Sequence, residues 1–233
     1  MIPLPAILNE CQFCAEIYNL NDGEIDLAQF IKESLNTDRL LFSTDNFVVF
    51  PSLGAFVEGY VLVASKRHFT SIRTLPQAHF GELNGILSLL KQFTRAHYGK
   101  PAVLFEHGDV SAGPAKSSCI DHMHIHLVPH DAIVPRQQFG KDLAVKRLSS
   151  LFDVKALPLQ SGYIYYQDID GQHYLVTGEK IISQLMRKAL ASSIGLADNE
   201  WDWSRHFFFD AMLRTIETYR THLSPDCLNS TLP

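Results

Sequence analysis

Residues 121–130 read DHMHIHLVPH. In a β-strand, side chains alternate between the two faces, which places His122, His124 and His126 on one face and apolar residues on the other. Imidazole suits proton transfer, nucleophilic attack on phosphorus and metal binding near neutral pH, so this face is a candidate reaction site. The alternative is the solvated face of an ordinary antiparallel strand, although such positions usually carry Thr, Lys or Glu.

The composition indicates a globular protein that binds a small ligand. Of the 233 residues, 46% are apolar and 19% are charged, which is enough apolar side chain for a full core. A net charge of −5 gives no basic signature, so nucleic acid is not expected as a partner. The sequence shows no run of about eighteen apolar residues and no secretion-signal pattern at its start, so we expect no membrane partner and a cytoplasmic location.

The cysteines point to a metal site. Four cysteines at uneven spacing are too few for a disulfide framework. Cys11 and Cys14 are separated by two residues, a spacing at which two thiolates reach one tetrahedral ion. A thioredoxin-like redox pair would require a βαβ unit, which the flanking sequence does not show. The pair is therefore half of a metal site or, alternatively, two ordinary half-buried cysteines.

Hydrophobic periodicity predicts antiparallel strands and one long helix. Apolar residues recur every three or four positions from Pro76 to Tyr98, and Gly99 marks the end of this helix. Shorter apolar runs predict further elements. These are a short helix within residues 24–42 and strands at Phe47–Phe50, Tyr60–Ala64 and Ala102–Phe105. His68 follows the second strand, and a loop rich in Ser, Ala and Gly leads into the histidine stretch.

These features together resemble the histidine triad (HIT) superfamily. His122–Val128 matches its His-φ-His-φ-His-φ-φ signature, where φ is apolar, and the other features follow in the family's order over roughly residues 8–130. In zinc-bearing members, including the galactose-1-phosphate uridylyltransferase branch, two Cys, a His after the second strand and the first triad His form a structural zinc site. The resemblance therefore implies that Cys11, Cys14, His68 and His122 bind structural zinc, with no organic cofactor.

The resemblance also implies a fold and a chemistry. The expected class is α+β, with a HIT-like antiparallel sheet and one long helix in a catalytic domain at residues 1–140. His124 would attack an α-phosphorus to form a covalent nucleotidyl-histidine intermediate, and His126 would hold a phosphoryl oxygen. The implied function is a nucleoside-phosphate hydrolase or nucleotidyl transferase that acts on a phosphoric anhydride, ester or amide of a nucleotide. The default assembly is a homodimer.

Several candidate substrate-binding residues depart from the family pattern. The candidates are Phe50, Ser52, His107, Ser118 and Cys119. Ser52 stands where members commonly have an acidic residue that binds the ribose hydroxyls. Cys119 stands at the hydroxyl position of a Gly-Gln-Ser motif, and a thiol is a weaker hydrogen-bond donor than a hydroxyl. His107 stands where an Asn is frequent, either as a substitute donor or as a polar loop residue.

These departures keep two other functions open. The first is a nucleotide-binding or interaction protein on a HIT fold with little turnover. The second is a metalloenzyme in which all three triad histidines bind a catalytic ion, which is disfavoured because Cys11 and Cys14 already account for a metal.

Residues 141–233 form a C-terminal extension with its own predicted elements. A hairpin is predicted around Asp170-Gly171, followed by helices at about residues 179–193 and 206–222. Trp201 and Trp203 between the helices indicate packing more than ligand binding. Arg187, Lys188 and Arg205 are cations of the extension in an otherwise acidic protein. They either fold over the phosphate end of the site, here or in a dimer partner, or are simply solvated.

Overall fold

The structure is a computed structural model that describes residues 11–18, 27–108, 120–134, 136–157, 162–178, 181–182 and 184–223. The α-helices are α1 (Gln12–Tyr18), α2 (Leu27–Leu35), α3 (Phe80–Tyr98), α4 (Asp153–Ala156), α5 (Leu185–Ser193) and α6 (Phe209–His222). The strands are β1 (Phe42–Ser43), β2 (Phe47–Pro51), β3 (Val61–Ser65), β4 (Ala102–Gly108), β5 (His124–Pro129), β6 (Ala144–Leu148), β7 (Tyr163–Gln167) and β8 (His173–Thr177). Short 3-10 helices cover Ile72–Thr74, Gln77–His79 and Arg136–Phe139.

The eight strands of the described residues form one antiparallel sheet in the order β1-β2-β3-β5-β4-β7-β8-β6. The predicted α+β class with one long helix is confirmed, because α3 spans 19 residues against this sheet. Gly99 ends the helix in the left-handed conformation, with φ of 66°. Within the described residues, none of the helices has the length and apolarity that a bilayer crossing requires.

The alternation along β5 divides the sheet into two faces. Ile125 and Leu127 join the core that α3 covers, whereas His124 and His126 project from the opposite face. The strand begins at His124 rather than at His122, because the Met123 N–H bonds to Phe69 O and the residues before it bend. The prediction of three histidines in register on one strand was therefore wrong for His122, which precedes the strand, although its ring packs against Phe13 as the His124 ring does.

The extension covers the histidine face. Strand β7 pairs with β4 from Gly108↔Tyr163 to Leu104↔Gln167, and β8 and β6 continue the sheet. Above the sheet, α5 and α6 contribute Met186 and Met212 to the same core as Phe105. Chain segments on both sides of residue 140 thus build one sheet, and the domain boundary at that residue stays a prediction.

The predicted hairpin and both helices of the extension are present, with later helix starts than the sequence suggested. Gly171 takes φ of 77° in the hairpin turn, as the Asp-Gly signal requires. Helix α5 begins at Leu185 because Gln184 has a left-handed backbone, with φ of 58°, and uses its side chain to bind Asp202. Helix α6 begins at Phe209 because Phe208 is also left-handed, with φ of 52°.

Substitution of Gly59 tests how tightly the turn before β3 packs against Tyr98. Gly59 and Gly99 both have positive φ, of 78° and 66°, but a Cβ at Gly59 would overlap the Tyr98 ring, whereas one at Gly99 would meet nothing within 4 Å. We expect Gly99→Ala to cost about 1–2 kcal/mol for its backbone alone and Gly59→Ala about 1–3 kcal/mol more. Urea unfolding of both variants measures the difference, and equal stabilities would contradict it.

Candidate metal centre and candidate active site

Two cysteines and two histidines converge at the edge of the histidine face. Cys14 lies on α1, Cys11 directly precedes that helix, His68 follows β3, and His122 precedes β5. One ligand atom from each of the four lies within 4.8 Å of the others. Cys11 Sγ is 3.4 Å from His122 Nδ1, and Cys14 Sγ is 3.4 Å from His68 Nδ1 and 3.5 Å from His122 Nδ1. Zinc–ligand bond lengths place S and N about 3.5 Å apart in a tetrahedral site, so the group has the geometry to bind a metal.

The hydrogen bonding of His122 supports this interpretation. Its Nε2 lies 2.6 Å from the Ser65 carbonyl oxygen, which can only accept, so the ring proton is on Nε2 and the Nδ1 lone pair faces the two sulfurs. A backbone carbonyl that fixes a histidine tautomer in this way is typical of metal ligands. Burial and the neighbouring Cys11 raise the pKa of Cys14 to about 12, a cost that a bound cation would reverse.

His124 presents one ring nitrogen to a pocket. Its Nδ1 lies 2.6 Å from the His122 carbonyl oxygen and must therefore carry the proton. Burial lowers the pKa of His124 to about 4, with His107 adding to the fall and the bond to His122 opposing it. The ring is thus neutral near pH 7, and Nε2 keeps its lone pair, which no described residue engages. This is the protonation state that a nucleophilic imidazole requires.

His126 is held from three sides. Its ring stacks on Phe105 at a centroid distance of 4.1 Å, lies 4.8 Å from the His124 ring, and places Nδ1 2.7 Å from the Tyr60 hydroxyl oxygen. Burial lowers its pKa well below the ordinary value, and the charges of His124 and Arg187 add to the shift. Both histidines are 8% exposed.

The pocket beside the two histidines is cationic. It spans about 680 Å³, counting its open mouth, and none of the described residues that line it is Asp or Glu. Arg39, Arg187 and His107 line it with His124 and His126. Arg39 is paired with Glu16, but no described carboxylate pairs with Arg187, which is only 3% exposed. The pocket therefore favours an anionic ligand.

The predicted substrate-binding residues occupy different positions relative to this pocket. Ser52 and His107 line it, whereas Phe50 lies behind it, packed against Phe13 at 5.3 Å and beneath the Arg39 guanidinium at 4.4 Å. Ser118 and Cys119 lie outside the described residues. Their roles, and that of Phe50 as a substrate contact, stay predictions.

Three pocket residues carried no role in the sequence interpretation. Phe13 and Arg39 line the wall, and Tyr60 lies beneath His126. Tyr60 was visible only as the first residue of a predicted strand, and no spacing rule joins it to His126. Of the extension's cations, Arg187 enters the pocket, whereas Lys188 and Arg205 are exposed. Trp203 also lines the pocket.

A family model described as "Scavenger mRNA decapping enzyme C-term binding" matches residues 27–138, which include His68 and the whole triad. This part of the chain belongs to the histidine triad superfamily. A search of curated proteins found no match.

Several solved structures of HIT proteins resemble the chain at low identity. A hypothetical histidine triad nucleotide-binding protein from Sulfolobus tokodaii is 17% identical, with 53% of this chain and 70% of that chain covered and a TM-score of 0.38. A HIT-like protein involved in cell-cycle regulation from Bartonella henselae is 12% identical, with 55% and 83% covered and a TM-score of 0.39. A HIT family protein from Bacillus anthracis is 16% identical, with 48% and 84% covered and a TM-score of 0.35. Because these TM-scores are below 0.5, the assignment to the HIT superfamily rests on the family model and the triad motif.

Metal analysis tests the Cys/His group. We expect the purified protein to carry about one divalent metal ion per chain, and Cys14→Ser to lose most of it, because the remaining three ligands leave one corner open. The loss should lower the free energy of unfolding by at least about 2 kcal/mol, or roughly 4–8 °C in Tm. His124→Ala is the matched control and should keep the metal. An unchanged Tm in Cys14→Ser, or a metal content well below half an equivalent in the wild type, would contradict the site.

Proposed function

We propose that the protein is a nucleoside-phosphate hydrolase or nucleotidyl transferase that works through a covalent intermediate on His124. The observation that carries the proposal is the tautomer of His124, whose Nδ1–H is held by the His122 carbonyl so that the Nε2 lone pair remains for attack. The cationic pocket around it is suited to a phosphate group. The family model's description names a decapping enzyme, which supports a nucleotide conjugate as the ligand class.

The proposed reaction has two steps. In the first, His124 Nε2 attacks the α-phosphorus, a P–N bond forms, and the bond from phosphorus to the leaving group breaks with its electron pair on the leaving group. In the second, the oxygen of water or of another hydroxyl acceptor attacks the same phosphorus and releases its proton to solvent, while the P–N bond breaks with its electron pair returning to His124 Nε2. In both steps His126 donates to a phosphoryl oxygen, and the positive charge of Arg187 lowers the energy of the anionic group. Positioning and charge stabilisation are most of what phosphoryl transfer requires of a protein.

The Cys/His group has a structural role in this proposal. We propose zinc as its metal, because a set of two thiolates and two imidazoles in tetrahedral spacing matches the preference of zinc. Four protein ligands leave no open coordination position, so the ion would hold α1, the end of β3 and the start of β5 together. The three-histidine metalloenzyme is disfavoured, since His122 Nδ1 faces the cysteines and the described residues contain no second group with metal-binding spacing.

The alternative of a nucleotide-binding protein with little turnover is favoured by one observation. Helix α5 contributes Leu185, Met186 and Arg187 to the pocket walls, and His124 is only 8% exposed, so substrate access is restricted. Turnover separates the two proposals. A panel of dinucleotides, nucleotide sugars and nucleoside phosphoramidates, assayed with and without a second acceptor, would find the substrate and distinguish hydrolysis from transfer. The expected homodimer and cytoplasmic location stay predictions.

The roles of the two buried histidines are tested by paired variants. His124→Ala should lose nearly all activity, since it removes the atom that bonds to phosphorus, whereas His126→Ala should lose about 10²–10³-fold, the usual cost of one charge-stabilising donor. During wild-type turnover, alkaline quenching and mass spectrometry should find a nucleotidyl adduct on the His124 peptide. An adduct on Ser118 or Cys119, or substantial turnover by His124→Ala, would refute the mechanism.

A further inference from the structure

Arg187 enters the pocket with its hydrogen-bond donors already used by the protein. Its Nε donates to Trp201 O at 3.0 Å, and its Nη2 donates to Gly54 O. Its Nη1 donates to Ser52 Oγ at 3.2 Å and to the Tyr60 hydroxyl oxygen at 3.0 Å. Four of the five guanidinium N–H groups are thus committed. Arg187 is therefore placed to act through its neighbours rather than to bind a substrate through two parallel hydrogen bonds.

Tyr60 connects Arg187 to His126. The phenol is fully buried, and its oxygen lies 3.0 Å from Arg187 Nη1 and 2.7 Å from His126 Nδ1. A guanidinium has no acceptor, so Tyr60 must accept from Arg187, and its single proton is left for another partner.

Three observations direct that proton to His126. The 2.7 Å separation matches an O–H donor better than an N–H donor, whose usual distance is about 2.9–3.0 Å. The competing acceptor, Ser52 Oγ, already accepts from Arg187 and donates to Leu53 O at 3.1 Å. The positive charge of Arg187 also orients the Tyr60 dipole with its lone pairs toward the guanidinium and its hydrogen away from it.

We propose that Arg187 is a positioning residue that fixes the tautomer of His126 through Tyr60, so that His126 accepts at Nδ1 and offers an Nε2–H donor to a phosphoryl oxygen in the pocket. The role of that donor rests on the proposed function, whereas the tautomer does not. His124 and His126 then hold opposite tautomers. The first has its proton on Nδ1 and a free lone pair for attack, and the second has its proton on Nε2 for charge stabilisation. Stacking on Phe105, at an interplanar angle of 6°, keeps the His126 ring in the plane that this arrangement needs.

Nitrogen NMR reads the tautomer directly. The full-length, metal-loaded protein would be labelled with ¹⁵N-histidine, and long-range ¹H–¹⁵N correlations would show which ring nitrogen of each histidine is protonated. The His126 signals are assigned as those missing in His126→Gln. We expect one form of His126, protonated on Nε2 with a hydrogen-bonded, unprotonated Nδ1. Protonation on Nδ1 in the wild type would overturn the proposal without any variant being made.

Variants test the part that Arg187 plays. In Arg187→Met the Tyr60 hydroxyl is free to accept from Nδ1, so the Nδ1-protonated form of His126 should become populated, and Arg187→Lys should restore the wild-type spectrum in part. Arg205→Met is the matched control, since Arg205 is an exposed cation of the same extension with 69% of its side chain accessible, and it should change nothing. A wild-type tautomer in folded Arg187→Met would overturn the proposal.

Kinetics on an identified substrate complete the test. Arg187→Met should lower kcat about tenfold with KM within about threefold, because part of the population lacks a donor worth about 10²–10³ in rate. In a Tyr60→Phe background the same substitution should add no further loss, as expected for residues that act through one another. An equal loss in both backgrounds would show that Arg187 acts by another route. If no substrate turns over but the tautomer is as expected, the proposed function fails and the assignment of Arg187 stands.

Discussion

The buried charge of Arg187 is the interaction on which the histidine face depends. Removing a guanidinium from water costs several kcal/mol, and no described carboxylate offsets that cost here. The compensation comes from neutral oxygens of Ser52, Gly54, Tyr60 and Trp201. Hydrogen bonds satisfy the N–H groups but leave the charge itself uncancelled. The pocket therefore has a positive potential that an anionic ligand would lower. One of the residues that hold this cation, Tyr60, also contacts His126, so the position of the histidine is tied to that of the arginine.

The start of β5 separates two candidate sites within five residues. His122 lies before the ladder and turns its Nδ1 toward the cysteines, while His124 and His126 lie in the ladder and project into the pocket. The same peptide unit serves both sites, because the His122 carbonyl fixes the His124 tautomer. A metal that held His122 in place would therefore also fix the orientation of His124, the proposed nucleophile.

The sequence predicted what depends on local pattern and missed what depends on distant contacts. Periodicity was sufficient to predict α3 and the Asp170-Gly171 hairpin, and the family resemblance was sufficient to name the four residues that converge in the Cys/His group. The contact between Arg187 and Tyr60 joins residues 127 positions apart and obeys no spacing rule. The net charge of −5 also hid the cationic pocket, since an average over the chain does not show where charges lie.

The neutral side chain at position 52 and the arginine that the extension places beside it form one arrangement. Ser52 stands where HIT members commonly carry an acid, and its hydroxyl accepts from Arg187 at 3.2 Å. A carboxylate at that position would pair with the guanidinium, cancel the positive potential of the pocket and compete with Tyr60 for Arg187 Nη1. A neutral residue at position 52 is therefore the condition under which the positive charge of Arg187 stays uncancelled in the pocket. The departure from the family pattern, which alone suggested a weakened site, therefore leaves a positive charge from Arg187 in a pocket suited to an anion, with Tyr60 beside the histidines.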